Sequence, residues 1–301
     1  MAQADGPWTV ERVLAWTRGF FERKQIDSPR LCAELIISHI LSVPRIKLYT
    51  DYQRVLADPE LLRMRELVKR AGEEEPIAYL TGRAHFFNLE LDVTPDVLIP
   101  RPDTETLIEQ ILTLVRNVPG FEAPRVLDLC TGSGAIAIAI AQHIKTAQVV
   151  ATDVSEKALA VAKINVDKHQ LGDRITLLAG DLFAALMDYV DAAPFDVIIA
   201  NPPYIPSAEV PKLARHVHQY EPHLALDGGA DGLDLHRRIL AGATDRLRDG
   251  GRVILEIAFD QSEPATEMIG QYPDFVEVKL VRDHAGNPRV LVAKLDRKRS
   301  L

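Results

Sequence analysis

Val126-Leu127-Asp128-Leu129-Cys130-Thr131-Gly132-Ser133-Gly134-Ala135 reads as a strand that turns through two glycines into a helix. Residues 126–130 are apolar except for Asp128, the pattern of a strand buried on both faces. Gly132 and Gly134 permit a tight turn and close approach of the backbone to a ligand. Ala137 completes a G-x-G-x-x-A spacing. Such a spacing alone is weak; the strand before it and the helix after it supply the context it needs.

From residue 125 onward, strands and helices alternate. Strands are expected at 126–130, 148–152, 175–178, 195–200 and 253–257, and helices at 103–115, 135–144, 156–169 and 233–248. A final pair, 276–281 and 289–295, surrounds the turn Ala285-Gly286-Asn287-Pro288. The fold class is therefore α/β: a Rossmann-like, mostly parallel sheet covered on both faces, with an antiparallel edge. Ahead of it, residues 1–72 carry apolar residues at helical spacing over 9–21, 29–41 and 59–71. Ser28-Pro29 and Asp58-Pro59 are suitable helix starts. This is a small all-helical domain, expected to dock a partner. Residues 73–102 read as a connector with a β-hairpin around 86–93, and 103–301 as the catalytic domain.

Composition bounds the answer. The chain has 301 residues, 47% hydrophobic and 26% charged, ample for a core in one large or two ordinary domains. A net charge of -8 argues against capture of long duplex DNA by the protein's own field. Cys32 and Cys130 are too few for a disulfide framework and lack metal-ligand spacing; both read as small buried hydrophobes. Residues 1–6 do not read as a signal peptide, and no apolar run reaches spanning length, so a cytoplasmic location is expected.

The polar motifs fall at strand ends, where ligands of such sheets bind. Asp153 stands nineteen residues past Gly134, where a carboxylate can accept both hydroxyls of a ribose. Asp181, followed by Leu182, ends the third strand, a position suited to an adenine amino group. A dinucleotide would set its pyrophosphate on the helix N-terminus. S-adenosylmethionine, without phosphate, asks instead for an acid near its amino-acid portion, and Asp128 fits. Asn201-Pro202-Pro203-Tyr204, at the end of the 195–200 run, tips the balance. Two prolines force the chain out of the sheet and leave a stiff corner presenting an amide, carbonyls and a ring. By itself this is equally a Pro-rich turn with an Asn cap. Beside the glycine loop and two strand-end acids, it suits a nitrogen-bearing methyl acceptor and offers nothing for hydride transfer.

With these residues placed, the chain resembles the class I S-adenosylmethionine-dependent methyltransferases. It most resembles the HemK/PrmC family, the peptide chain release factor N(5)-glutamine methyltransferases. Motifs outside the glycine loop carry the closer likeness: Glu75-Pro76-Ile77-Ala78-Tyr79-Leu80-Thr81-Gly82 and Leu98-Ile99-Pro100-Arg101-Pro102-Asp103-Thr104-Glu105. Tyr220-Glu221-Pro222, Leu226-Asp227-Gly228-Gly229-Ala230-Asp231-Gly232-Leu233 and Asp283-His284-Ala285-Gly286-Asn287-Pro288-Arg289 add to it. The departures are small: Asp103 where the family usually has Glu, Ala258 for a usual Gly, and Leu182 where some members carry Trp.

The resemblance implies methylation of the glutamine in the Gly-Gly-Gln motif of release factors, with S-adenosylhomocysteine as product and no metal. Asp128, Thr131, Gly132, Ser133, Gly134, Ala135, Asp153, Asp181, Leu182 and Asn201 would then bind cofactor. Asn201 and Pro202 would accept hydrogen bonds from the glutamine NH2, Pro203 would stiffen the corner, and Tyr204 would pack on the acceptor. The loop 205–226 is long enough to be a lid; its His216 and His218 read as surface histidines. A monomer without stable nucleic-acid binding is expected. Methylation of a ribosomal-protein glutamine, or of a base amino group flipped into the same pocket, remains the alternative.

Overall fold

The computed structural model describes residues 6–191 and 193–297. The first five residues of the expected start segment and the last four of the expected catalytic domain lie outside them. The described chain forms two compact units: residues up to Arg83 with Arg215–Tyr220, and Ala84–Ala214 with the chain from Glu221.

The first unit is helical, with α1 at Val10–Arg23, α2 at Pro29–Leu41, α3 at Arg45–Thr50, α4 at Asp58–Ala71 and α5 at Ile77–Thr81. In α1 the residues Val10, Val13, Thr17 and Phe21 recur on one face and are buried. The Thr9 hydroxyl caps this helix by accepting from Arg12 N at 3.4 Å. Ser28 is left-handed and makes no side-chain cap, so the start of α2 rests on Pro29. At α4 the cap is Ala57, whose N–H donates to Glu60 Oε2 at 2.8 Å. Leu80 of α5 is buried in the helical core, which carries this unit past the expected end at residue 72.

The second unit opens with a hairpin, β1 at Arg83–Phe86 and β2 at Leu89–Asp92. Phe87 and Asn88 form its turn, both with positive φ. Phe86, Leu89 and Leu91 are buried against the main sheet, so the hairpin belongs to this unit and does not stand as a separate connector. Next come α6 (Glu105–Asn117), β3 (Arg125–Leu129), α7 (Ala135–His143), β4 (Gln148–Asp153), α8 (Glu156–Lys168), β5 (Ile175–Ala179) and β6 (Phe195–Ala200). After a short α9 (Arg215–His218), which belongs to the first unit, the second unit continues with α10 (Asp234–Arg246), β7 (Leu247–Glu256), α11 (Ser262–Ile269), β8 (Phe275–Arg282) and β9 (Pro288–Leu295).

The seven-stranded sheet has the order β5-β4-β3-β6-β7-β9-β8. Strands β3 to β7 pair in parallel; β9 runs antiparallel between β7 and β8. Both faces are apolar by strict alternation. Val126, Val197 and Ile199 face one core with α6 and α7, while Leu127, Leu129, Ile198 and Ala200 face the other with α10 and α11. Leu247 and Arg248, expected at the end of a helix, are strand instead, because Leu247 pairs with Phe195 across a bulge. The strand order reverses between β3 and β6, and the site lies there.

Candidate active site

Register sets the site. Leu129 pairs with Thr152 and with Ala200, and Ala200 pairs with Leu255. The next residues, Cys130, Asp153, Asn201 and Glu256, therefore leave four neighbouring strand ends at one level. Above the first three lies a cavity of about 290 Å³. Thr131, Gly132, Ser133 and Ala135 line it from the glycine loop, Asp153 from β4, Asp181 and Leu182 from β5, and Asn201 and Pro203 from the corner.

The loop is held from three sides. Thr131 N donates to Thr152 O at 3.0 Å, and Gly132 N donates to Asp153 Oδ2 at 2.9 Å. Asn165 of α8, fully buried, donates through Nδ2 to Ser133 O and to Asp92 O, each at 2.9 Å. The sequence marks Asn165 only as a polar residue on the helix face that carries Ala158, Val161, Ala162 and Val166. Asp153 Oδ1 accepts from Ser155 N at 2.9 Å. Burial raises the Asp153 carboxyl above its ordinary value, with these N–H groups opposing the rise.

Two of the expected cofactor residues do not line the cavity. Asp128 is fully buried beneath the loop, where its Oδ2 accepts from Thr131 Oγ1 at 2.6 Å. Burial pushes it up to about 7. Gly134 is the N-cap of α7, with φ +82°. A Cβ there would meet Ile138 and Ala162 at 3.2 and 3.3 Å, so this glycine serves helix packing. Cys130, expected as a buried hydrophobe at the strand end, is half-buried, lies past β3 and lines the cavity.

At the acceptor corner, Asn201 Nδ2 donates to Thr104 Oγ1 at 3.1 Å. Pro202 and Tyr204 do not line the cavity; Tyr204 Oη instead donates to Glu256 Oε1 at 3.2 Å. The segment 226–233 clamps the corner's backbone. Ile205 N donates to Leu226 O at 3.0 Å, and Gly228 N to Ile205 O at 2.8 Å. A Cβ on Gly228 would stand 2.7 Å from Pro203 O, so only glycine fits. Gln261 Nε2 adds a bond to Tyr204 O at 2.9 Å.

Comparison with known proteins gives the same architecture a family. A model of the PrmC N-terminal domain matches residues 12–82, and one of the Methyltransferase small domain matches residues 104–280. The release factor glutamine methyltransferase of Rhodopirellula baltica is 41% identical over 95% of this chain and 96% of its own length. That of Geobacter sulfurreducens is 40% identical over 96% and 97%.

The chain belongs to the release factor glutamine methyltransferase family.

The hMettl16 catalytic domain, solved with the MAT2A 3'UTR hairpin 6, has the same fold with a TM-score of 0.55. It is 19% identical, over 81% of this chain and 84% of that one, and shows the fold alone. Within the family's methyltransferase fold, three residues behind or beside the site were not singled out in the sequence. Thr104 holds Asn201, Glu256 holds Tyr204, and Arg238 at the cavity wall pairs with Asp181 at 2.7 Å. Thr104 lay in view within the 98–105 motif. Glu256 and Arg238 look like ordinary strand-end and helix-surface charges until the sheet is assembled. Among the described residues no group of three or more His, Cys, Asp or Glu could hold a metal ion, and no helix is long and apolar enough to cross a membrane.

Proposed function

We propose that this chain methylates the side-chain amide nitrogen of the glutamine in the Gly-Gly-Gln motif of peptide chain release factors. S-adenosylmethionine would be the donor and S-adenosylhomocysteine the product. The observation that carries the reading is the Asn201–Thr104 bond. With Nδ2 given to Thr104, the Asn201 Oδ1 is the group left to accept from a substrate NH2 at the cavity edge.

The donor set suits this cofactor. Asp153, on which the backbone N–H groups of Gly132, Ser155 and Val154 converge, keeps acceptor capacity for a ribose hydroxyl, and Asp181 keeps Oδ1 for an amino group while Oδ2 holds Arg238. Leu182 and Ile136 offer apolar walls. Asp128 acts indirectly, by fixing Thr131 below the methionine portion. When bound, the sulfonium supplies an activated methyl group and leaves as a neutral thioether. The chain's own task is alignment. An amide nitrogen is a weak nucleophile, so its lone pair must point along the methyl–sulfur axis, and Asn201 Oδ1 with the Pro202 carbonyl would hold the NH2 there. The displaced proton leaves the nitrogen after transfer, and the reaction calls for no metal. Tyr204 would brace the corner from behind through Glu256, in place of packing on the acceptor. The helical unit would dock the release factor.

The test is incubation of purified protein, S-adenosylmethionine and an unmodified release factor, followed by peptide mass spectrometry. One added methyl group on the Gly-Gly-Gln glutamine is the expected result. Transfer to a ribosomal protein or a nucleic acid, with none to the release factor, would refute the substrate.

A further inference from the structure

We propose that Gln261, immediately before α11, is a positioning residue. Its buried amide ties the acceptor corner to the turn after β7 and to the 226–233 clamp, and so sets where Asn201 stands. The inference rests on the reading of that corner as the place where the substrate amide is held.

The Gln261 side chain is buried and bonds to three separate segments. Nε2 donates to Tyr204 O at 2.9 Å and to Asp231 O at 3.3 Å, while Oε1 accepts from Ala258 N at 3.0 Å. These partners allow one orientation of the amide. Turned over, it would set Oε1 against two carbonyl oxygens and its NH2 against an N–H. The backbone beneath it is fixed as well: Gln261 N donates to Ala258 O at 3.0 Å, and Gln261 O accepts from Ala265 N at 2.9 Å. The side chain therefore reaches the corner from a rigid base. It crosses the space above Gly232 that a Cβ would fill, passing 2.5 Å from where that atom would stand.

The corner needs such a tie. Pro202 and Pro203 have no N–H to continue the sheet ladder past Ala200, so the chain beyond β6 must be held from outside. The peptide unit that joins Tyr204 to Ile205 is where this happens. Its N–H is bonded to Leu226 O at 3.0 Å, and its C=O is bonded to Gln261 Nε2 at 2.9 Å. A peptide plane held at both poles cannot rock about its long axis. The stiff Pro-Pro pair carries that fixed position back to Asn201. With the Gln261 donor removed, the plane is held on one side only and the corner gains a hinge. Gln261 is not among the residues that line the cavity, so its loss leaves the cofactor's own contacts in place.

The experiment compares wild type, Q261M and Q261E, each well below its melting midpoint. It reads kcat at saturating cofactor and release factor, cofactor Kd by calorimetry, and hydrogen exchange at the Ile205 amide by NMR. Q261M keeps the length of the side chain and loses all three bonds. Q261E keeps the shape and the bond from Ala258 N but loses the donors to Tyr204 O and Asp231 O. Both should lower kcat by about 10- to 100-fold, as expected for a misaligned reactant, with cofactor Kd within a few-fold of wild type. Exchange at Ile205 should quicken by about 2- to 10-fold, the worth of one hydrogen bond. A Q261E enzyme with wild-type kcat and exchange refutes the positioning role, because only the donors to the corner separate it from the wild type. Equal losses of kcat and cofactor affinity also refute it, since they mark a general loosening of the fold. A wild type that does not methylate the release factor, with the faster exchange still seen in both variants, refutes the substrate and keeps the tie.

Discussion

Replacing Gly232 by alanine should unseat the acceptor corner. Gly232 has φ +79°, and an added Cβ would stand 2.2 Å from the Tyr204 carbonyl oxygen and 2.5 Å from Gln261 Nε2. Two costs combine. A left-handed backbone costs a residue with a β-carbon about 1–2 kcal/mol. Overpacking against backbone that cannot swing aside adds about 1–3 kcal/mol. Gly286, in the turn between β8 and β9, isolates the first: its φ is +86°, and a Cβ added there would have nothing within 4 Å. G286A should therefore lose about 1–2 kcal/mol and G232A roughly 2–5 kcal/mol.

The functional consequence separates the two further. Relieving a 2.2 Å contact to an ordinary one requires Tyr204 to retreat by about 1 Å, and Asn201 lies three residues upstream on a stiff Pro-Pro corner. A misplacement of about 1 Å costs on the order of 100-fold in an aligned reaction. Thermal denaturation gives the stability of both variants, and kcat with cofactor Kd gives the function. G286A should keep kcat near wild type, whereas G232A should lose about 100-fold with little change in cofactor Kd. A G232A enzyme that is less stable but turns over normally would refute the claim that the corner's position sets the rate.

Asn201→Ala should remove most of the turnover while cofactor Kd stays within a few-fold; an equal loss of cofactor binding would show that Asn201 serves the cofactor. Asp153→Asn should do the reverse, weakening cofactor about 10- to 100-fold, the worth of one or two hydrogen bonds to a charged group, as read by calorimetry. Asp128→Asn tests a stability linkage. The folded Asp128 titrates near 7 against about 4 unfolded, so the native state holds the extra proton between those values and wild-type stability falls as pH rises through that window. The advantage of D128N over wild type in denaturant melts should therefore grow from pH 4 to 7, by as much as ~4 kcal/mol; a constant difference would refute the buried, protonatable state.

The parts of the fold legible in the sequence were those set by local pattern. Helix α2 stands at the expected 29–41, and β6 at the expected 195–200, because in each an apolar period coincides with a proline that marks its boundary. What stayed hidden depends on register. Leu247-Arg248 continue a helical pattern and become strand only because β6 lies alongside. Asp128 reads as a ligand-facing acid, yet alternation turns its side chain toward the α7 side of the sheet, where Thr131 and the Ala137 backbone reach it. Tyr204 reads as a substrate-facing ring. It points instead at Glu256, fifty-two residues later, a partner no local motif could supply.

Parallel pairing explains why so few residues suffice. Neighbouring strands stand about 4.8 Å apart, and the pairings Leu129↔Ala200 and Ala200↔Leu255 place the corner at Asn201 one strand spacing from the glycine loop on one side and from Glu256 on the other. On the proposed reading, the distance between methyl donor and methyl acceptor would thus be fixed by backbone hydrogen bonds rather than by flexible side chains. A one-residue slip of β6 against β3 would turn Ile198 and Ala200 out of their core and Val197 and Ile199 into it. The same alternation that buries both faces therefore locks Asn201 at the level of Cys130. Side chains then have only the last step to perform, which is to decide which atom of the Asn201 amide meets the substrate. On the proposed reading that decision falls to Thr104, whose Oγ1 takes the Nδ2 end, because an amide's oxygen and nitrogen ends have nearly the same shape and packing alone cannot distinguish them.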